Sequence, residues 1–259
     1  MPNNGVNNAT MKDIIKTLEP LYGKYDRYQV LKDWFAYMAA WLEAPCLKAA
    51  GKDSEPALKK MDGIWERYGD SATAFKTAFF QLIDVMDEDV NANNYHDWLG
   101  ELFMQSCTAS KERAQHFTPY SVSKCMAELN IGSKEAVKKL IAEQGYITIN
   151  DPCVGGGSLI IAMLATLREY GINYQQHAVV ICGDNDQRCC DMCFVQLQLL
   201  GAIATVENRN ALTMELFQTR DTLFMVELKK QREEIKKVRE VFQWLTHHSA
   251  GSTSASDQN

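Results

Sequence analysis

An α/β fold, with a helical N-terminal region ahead of a mainly parallel sheet, is what this chain of 259 residues predicts. Three observations predict it. Through the first hundred or so residues, apolar side chains recur at three- and four-residue steps, the period of a helix face. From about residue 111, short β-branched runs alternate with helical stretches, a β-α-β-α-β order that calls for parallel strands and right-handed crossovers. Residues 147–159 join the first strand to its helix: a β-branched run ends on Asp151, turns on Gly155, Gly156 and Gly157 and re-emerges as an apolar helix.

The elements follow in order. Over residues 28–47, Val30, Leu31, Trp34, Phe35, Met38, Trp41 and Leu42 mark one helix, and over 72–86, Phe75, Phe79, Phe80, Leu82, Ile83 and Met86 mark a second. These aromatic-rich stripes read as core faces. Residues 91–94 are a polar break, after which Asp97 caps a helix through Trp98, Leu99, Leu102 and Phe103. Past a short polar loop, Thr118 as N-cap and Pro119 at the first helical position open a helix with Val122, Cys125, Met126 and Leu129 on one face. Strands are expected at 146–150, 178–182, 203–206 and 222–226, with helices at 159–170 and 186–200 between the first three. A last helix over 227–245 places Leu228, Ile235, Val238, Phe242 and Leu245 on one side of an otherwise charged surface. It is either packed on the domain or binds a partner. The expected division is a helical region 1–110, a cofactor domain 111–226, a charged helix 227–246 and a disordered tail 247–259.

Composition narrows the class. A hydrophobic share of 46% suits an ordinary soluble globule. No apolar run approaches the roughly 18 residues of a membrane span, and the polar start lacks the order of a signal peptide, so a cytoplasmic protein is expected. A net charge of −6 argues against a free-standing, non-specific nucleic-acid binder. The eight cysteines fall inside expected strands and helices at no regular spacing, as buried thiols do in a reducing compartment. Cys189, Cys190 and Cys193 invite a metal reading, but no second ligand pair matches them and the histidines are scattered. A cysteine-rich helix face is the better reading.

Three polar residues stand where one ligand would need them. Asp151 ends the first strand, at the carboxyl edge where open α/β sheets place ligands. Asp184, just past the second, presents a carboxylate able to accept both hydroxyls of a ribose, and Asn210 follows the third, where a polar side chain meets an adenine edge. The dinucleotide fingerprint fails because Ile160 stands where its third glycine is required, and no Gly-Lys-Ser/Thr follows for a P-loop. A smaller adenosine compound is what remains.

Taken together, Gln-His-Phe-Thr-Pro at 115–119, Asp-Pro-x-x-Gly-x-Gly-x-Leu at 151–159, Gly-Asp-x-Asp at 183–186 and Asn-Ala-Leu at 210–212 resemble the motif order of adenine-N6 DNA methyltransferases. The modification subunit of type I restriction systems is the nearest class, and residues 97–103 resemble the helix that precedes its Phe-Thr-Pro element. The resemblance implies a truncated Rossmann-like domain and S-adenosylmethionine as cofactor. Phe117, Thr118 and Pro119 would lie across its adenosine and methionine parts, Asp151 would receive the ammonium, and Gly155 and Gly157 would admit the backbone. Asp184 would hold the ribose and Asn210 would face the adenine.

Methylating an adenine amino group requires a flipped base and fixed hydrogen-bond acceptors. The family supplies them with Asn or Asp, two prolines and Tyr or Phe after its fourth strand. Here no proline follows Pro152, and the corresponding slot reads Val226-Glu227-Leu228-Lys229. No catalytic residue is therefore assigned. The expected function is a methyltransferase-like protein of restriction-modification type that keeps the cofactor half and is inactive alone, reaching DNA through a partner subunit. The alternative is a non-enzymatic regulatory module with a vestigial pocket. Should a divergent catalytic residue exist, Asn208 and Asp221 are the candidates. The sheet is short, and its bare edge calls for cover from the N-terminal helices, the last helix or another chain.

Overall fold

The computed structural model describes residues 9–107 and 117–249. Gln115 and His116, and the tail 250–259, lie outside the described residues. Five helices come first: α1 (Met11–Leu18), α2 (Arg27–Ala49), α3 (Glu55–Tyr68), α4 (Thr73–Asn91) and α5 (Trp98–Cys107). The stripes expected on α2 and α4 mostly face inward: Trp34, Phe35, Phe75 and Leu82 are fully buried, although Phe80 points outward. Asp97 opens α5 as expected, its Oδ1 accepting the Gly100 amide at 2.9 Å.

α6 (Tyr120–Ile131) begins one residue later than expected. Pro119 keeps an extended ψ of 137° and is itself the N-cap, so Thr118 is not. The Pro119 carbonyl takes the first helical bonds, from Val122 and Ser123. The apolar face of α6 also points the other way. Val122, Cys125, Met126 and Leu129 are exposed, while Ser123 and Ala127 are buried. Small side chains let α6 lie close to the helix after the glycine loop, where the Ser123 and Ser158 hydroxyls bond at 2.8 Å.

β1 (Ile147–Asp151), α8 (Ser158–Glu169), β2 (Ala178–Asp184), α10 (Gln187–Leu199) and β3 (Ile203–Arg209) follow the expected alternation, to which the structure adds α7 (Lys134–Gln144) before β1 and the short α9 (Tyr174–His177) before β2. β1, β2 and β3 pair in parallel, with Asp151 beside Cys182 and Asp184 beside Asn208. The fourth strand differs. β4 is Leu216–Asp221, it runs antiparallel to β3, and residues 222–226 are no strand, because α11 (Leu223–Ser249) begins there. The β3–β4 turn is too short for a crossover, so the chain forms a hairpin. The sheet order is β1-β2-β3-β4.

Strand alternation divides the sheet into two faces. Ile149, Val180, Cys182, Ala204 and Val206 join the main core, which runs without a break into the helices α1–α5. On the other face Val179 and Ile203 meet only Met225 of α11, with Tyr146 and Leu228 beside them. Arg232 of α11 lies over the Tyr146 ring at 5.4 Å, so the last helix crosses the amino end of this face. β4 is tied to the helical layer by a buried ionic cluster: Arg220 donates to Glu43 at 2.8 Å and to Asp191 at 2.6 Å. α2 and α11 thus cover the β4 edge, and α7 packs along β1.

Candidate cofactor site

The glycine loop is held from four sides. The Val154 amide donates to Gly183 O at 2.9 Å, joining the loop to the end of β2, and Gly157 N returns to Val154 O at 3.0 Å. Gly155 N donates to Asp184 Oδ2 at 3.0 Å. Beneath, the Gln196 side-chain amide donates to Gly156 O at 2.8 Å and to Asp97 Oδ1 at 2.9 Å, while its carbonyl accepts Leu99 N at 3.2 Å. A Cβ at Gly156 would begin 3.1 Å from Asp97 Oδ2 and 3.3 Å from the end of Met192, so a larger residue there would have to push these side chains aside. Burial pushes Asp97 above its ordinary pKa, against the pull of its bonds to Gln196 and Gly100.

The loop opens into a cavity of about 420 Å³. Phe117, Thr118, Asp151, Gly155 and Asp184 line it, together with Ser123, Met126, Cys153 and Leu159. Gly155 has φ +56°, and a Cβ there would meet the Phe117 ring at 3.6 Å, so the missing side chain leaves the loop open toward the cavity. Phe117 is itself fixed edge-on against Phe103 at 5.7 Å. Gly157, at φ +107°, serves a different purpose: its absent side chain faces Cys193 of α10 at 3.3 Å, so it packs the back of the loop.

Pro119 and Asn210 are not brought to this cavity. Pro119 is exposed at the start of α6. Asn210 closes the β3–β4 turn, its side-chain oxygen accepting Leu212 N at 2.9 Å and Thr213 N at 3.2 Å. Neither catalytic candidate faces it with free chemistry. Asn208 is buried and its amide donates to Asp184 O and Asn185 O, bracing the end of β2. Asp221 pairs with Thr205, three residues or about 10 Å back along β3 from the site, a consequence of the antiparallel β4.

The electrostatics favour a ligand with a positive end and hydroxyl donors. Burial raises the Asp151 carboxyl, the Cys153 amide pulls it back, and the charge of Asp184 pushes it further up. Asp184 Oδ1 and Oδ2 accept the amides of Asp186 and Gly155, two of the roughly four lone-pair positions a carboxylate offers. Two acceptor positions remain for hydroxyls. The amino end of α8 adds a favourable pole for a negative group. A larger cavity of about 540 Å³, edged by Ile83, Met86, Arg168 and Tyr174, contains neither strand-end carboxylate and stands apart from this chemistry. Cys189, Cys190 and Cys193 are buried on α10, where burial pushes the Cys190 thiol up to about 12.

Asp97 was legible only as a helix cap, and Gln196 was not legible as functional: it is one of two amides, with Gln198, that alternate with Val195, Leu197 and Leu199, and that pattern does not single out the buried one.

A sequence model of the family described as N-6 DNA Methylase matches residues 88–236, more than half of the chain. No curated protein matches. A solved structure that matches is the type I restriction-modification system methyltransferase subunit from Streptococcus thermophilus, 14% identical, with a TM-score of 0.36 over 74% of this chain and 57% of that one. The chain thus spans little more than half of that subunit's length, a likeness too distant to carry weight beside the family match.

Proposed function

For a chain that belongs to the N-6 DNA methylase family, we propose that the cavity at the glycine loop binds S-adenosylmethionine and that the protein is the cofactor-holding half of a DNA adenine-N6 methylating assembly of restriction-modification type. One observation carries this reading: two carboxylates from adjacent strand ends, a glycine cradle and an aromatic wall converge on one 420 Å³ space. Asp151 takes the ammonium of the methionine part. Asp184 accepts the ribose hydroxyls with its remaining lone pairs, while Phe117 and Thr118 close the side opposite Gly155. When bound, the cofactor supplies an electrophilic methyl group.

The target-base half lies outside residues 1–259, and we read a partner as one source of it. Asn208 and Asp221 are both committed to internal bonds, and no proline follows Pro152 to shape a base pocket. Titration calorimetry of S-adenosylmethionine into wild type, Asp151→Ala and Asp184→Ala tests the pocket. Binding by wild type that is lost or greatly weakened in both variants is expected. Purified protein alone is expected to leave adenine-containing DNA unmethylated, and robust transfer of labelled methyl would remove the partner from the reading. A second reading, a regulatory module with a vestigial pocket, draws on the internal amides that already occupy Asp151 and Asp184. It would be adopted if wild type gave no binding heat.

A further inference from the structure

α11 leaves the body of the protein after two turns. Met225 and Val226 are buried and Leu228 is half-buried, but every residue from 231 to 240 is exposed. A helical stretch of that length with no packed face is marginal in water, so a solvated isolated helix is a poor account of it.

Its sequence carries a specific alternative. Leu228, Ile235 and Phe242 recur every seven residues, and Gln231, Val238 and Leu245 stand three residues after each. This is the a/d spacing of a two-stranded coiled coil, with Ile235 and Val238 each 53% exposed in the free chain. In the first two heptads the flanking positions are charged and sorted by sign. Glu227 and Glu234 precede the a positions, at g, and Arg232 and Arg239 follow the d positions, at e. In a parallel pair each g residue faces the e residue of the next heptad on the other helix. Glu234 then meets Arg239, while the turn before it stays on its own domain, with Leu228 against the sheet and Arg232 over Tyr146. An antiparallel pair would set Glu against Glu and Arg against Arg.

We infer that α11 joins two copies of this chain through a parallel coiled coil, with Ile235 and Val238 at its seam and Glu234–Arg239 pairs across it. Gln231, the one polar seam residue, fixes the register at some cost in stability. The inference does not depend on the cofactor reading, and cofactor titration of the variants below should match wild type.

Sedimentation equilibrium of the full chain tests it. Wild type should be a concentration-dependent dimer, and Ile235→Asp with Val238→Asp should weaken it by about a hundredfold or more. These positions are exposed in the single chain, so the fold should survive. Glu234→Arg alone and Arg239→Glu alone should each weaken self-association, and an equimolar mixture of the two single variants should form a heterodimer of restored affinity. A wild type that stays monomeric up to its solubility limit overturns the inference. So does a dimer indifferent to the seam substitutions, or a mixture that fails to pair.

Discussion

The two faces of the sheet are built from the same three parallel strands and differ in nearly everything else. One face is sealed: Val180, Cys182, Ala204 and Val206 share a core with α2, α8 and α10, and even the charge that enters it, Arg220, is matched by Glu43 and Asp191. The other is sealed only at its amino end by α11, leaving Ile181, Phe217 and Met214 partly exposed. There a third cavity of about 310 Å³ lies beside Asn150, Ile181 and Glu207 and shares Asp151 with the glycine-loop cavity. A parallel sheet ordinarily has helices on both faces. The difference teaches that packing in this chain is concentrated where it holds the glycine loop, while the side beyond Asp151 is left open.

The largest expected effect lies on the sealed face. Arg220→Ala leaves Glu43 and Asp191 buried without their cation and should cost about 3–5 kcal/mol in urea unfolding; a loss below about 1 kcal/mol would mean that this face is less sealed than its burial implies. Next, Asp184→Ala removes a carboxylate that braces Gly155 and is read as the ribose acceptor, and should weaken cofactor binding by about a hundredfold, two charge-assisted bonds' worth. Gln196→Met keeps the volume but strips the bonds to Asp97, Gly156 and Leu99. It should lower stability by about 1–3 kcal/mol and speed amide exchange in the glycine loop ahead of α2.

A smaller, pH-dependent effect separates the helical layer from the site. His96 sits between Glu101 and Asp89, each at 3.0 Å; burial lowers its pKa, but the bonds and charges of both acids more than offset that and raise it. Its stabilisation is full below the unfolded value of about 6.5 and is lost as pH rises through the raised folded value. The thermal midpoint should fall across that window in wild type and not in His96→Gln. If Asp151 takes an ammonium as proposed, it behaves oppositely: the ammonium selects the ionised carboxylate, so affinity should weaken as pH falls through the raised Asp151 value. The smallest stability effect belongs to the open face, where Ile181→Ser, at a side chain 38% exposed, should cost the isolated chain no more than about 1 kcal/mol. A large loss would show that this face is covered after all.

What the amino-acid sequence determined by itself was whatever depends on neighbours within a turn or two. The strand-to-glycine-loop passage places Asp151 and Asp184 at adjacent strand ends because each carboxylate lies within a residue or two of the turn that presents it. The helices α2, α4, α8 and α10 followed from apolar period for the same reason. What only the tertiary structure decided were relations between distant segments. The hairpin that turns β4 antiparallel carries Asp221 away from the site, and the packing of Ser123 on Ser158 sends the apolar side of α6 outward. The link from Asp97 through Gln196 to Gly156 spans 99 and 40 residues of chain. Such contacts depend on which small side chain permits close approach and which buried amide finds a partner. Those are properties of the packed interior, and local pattern does not encode them.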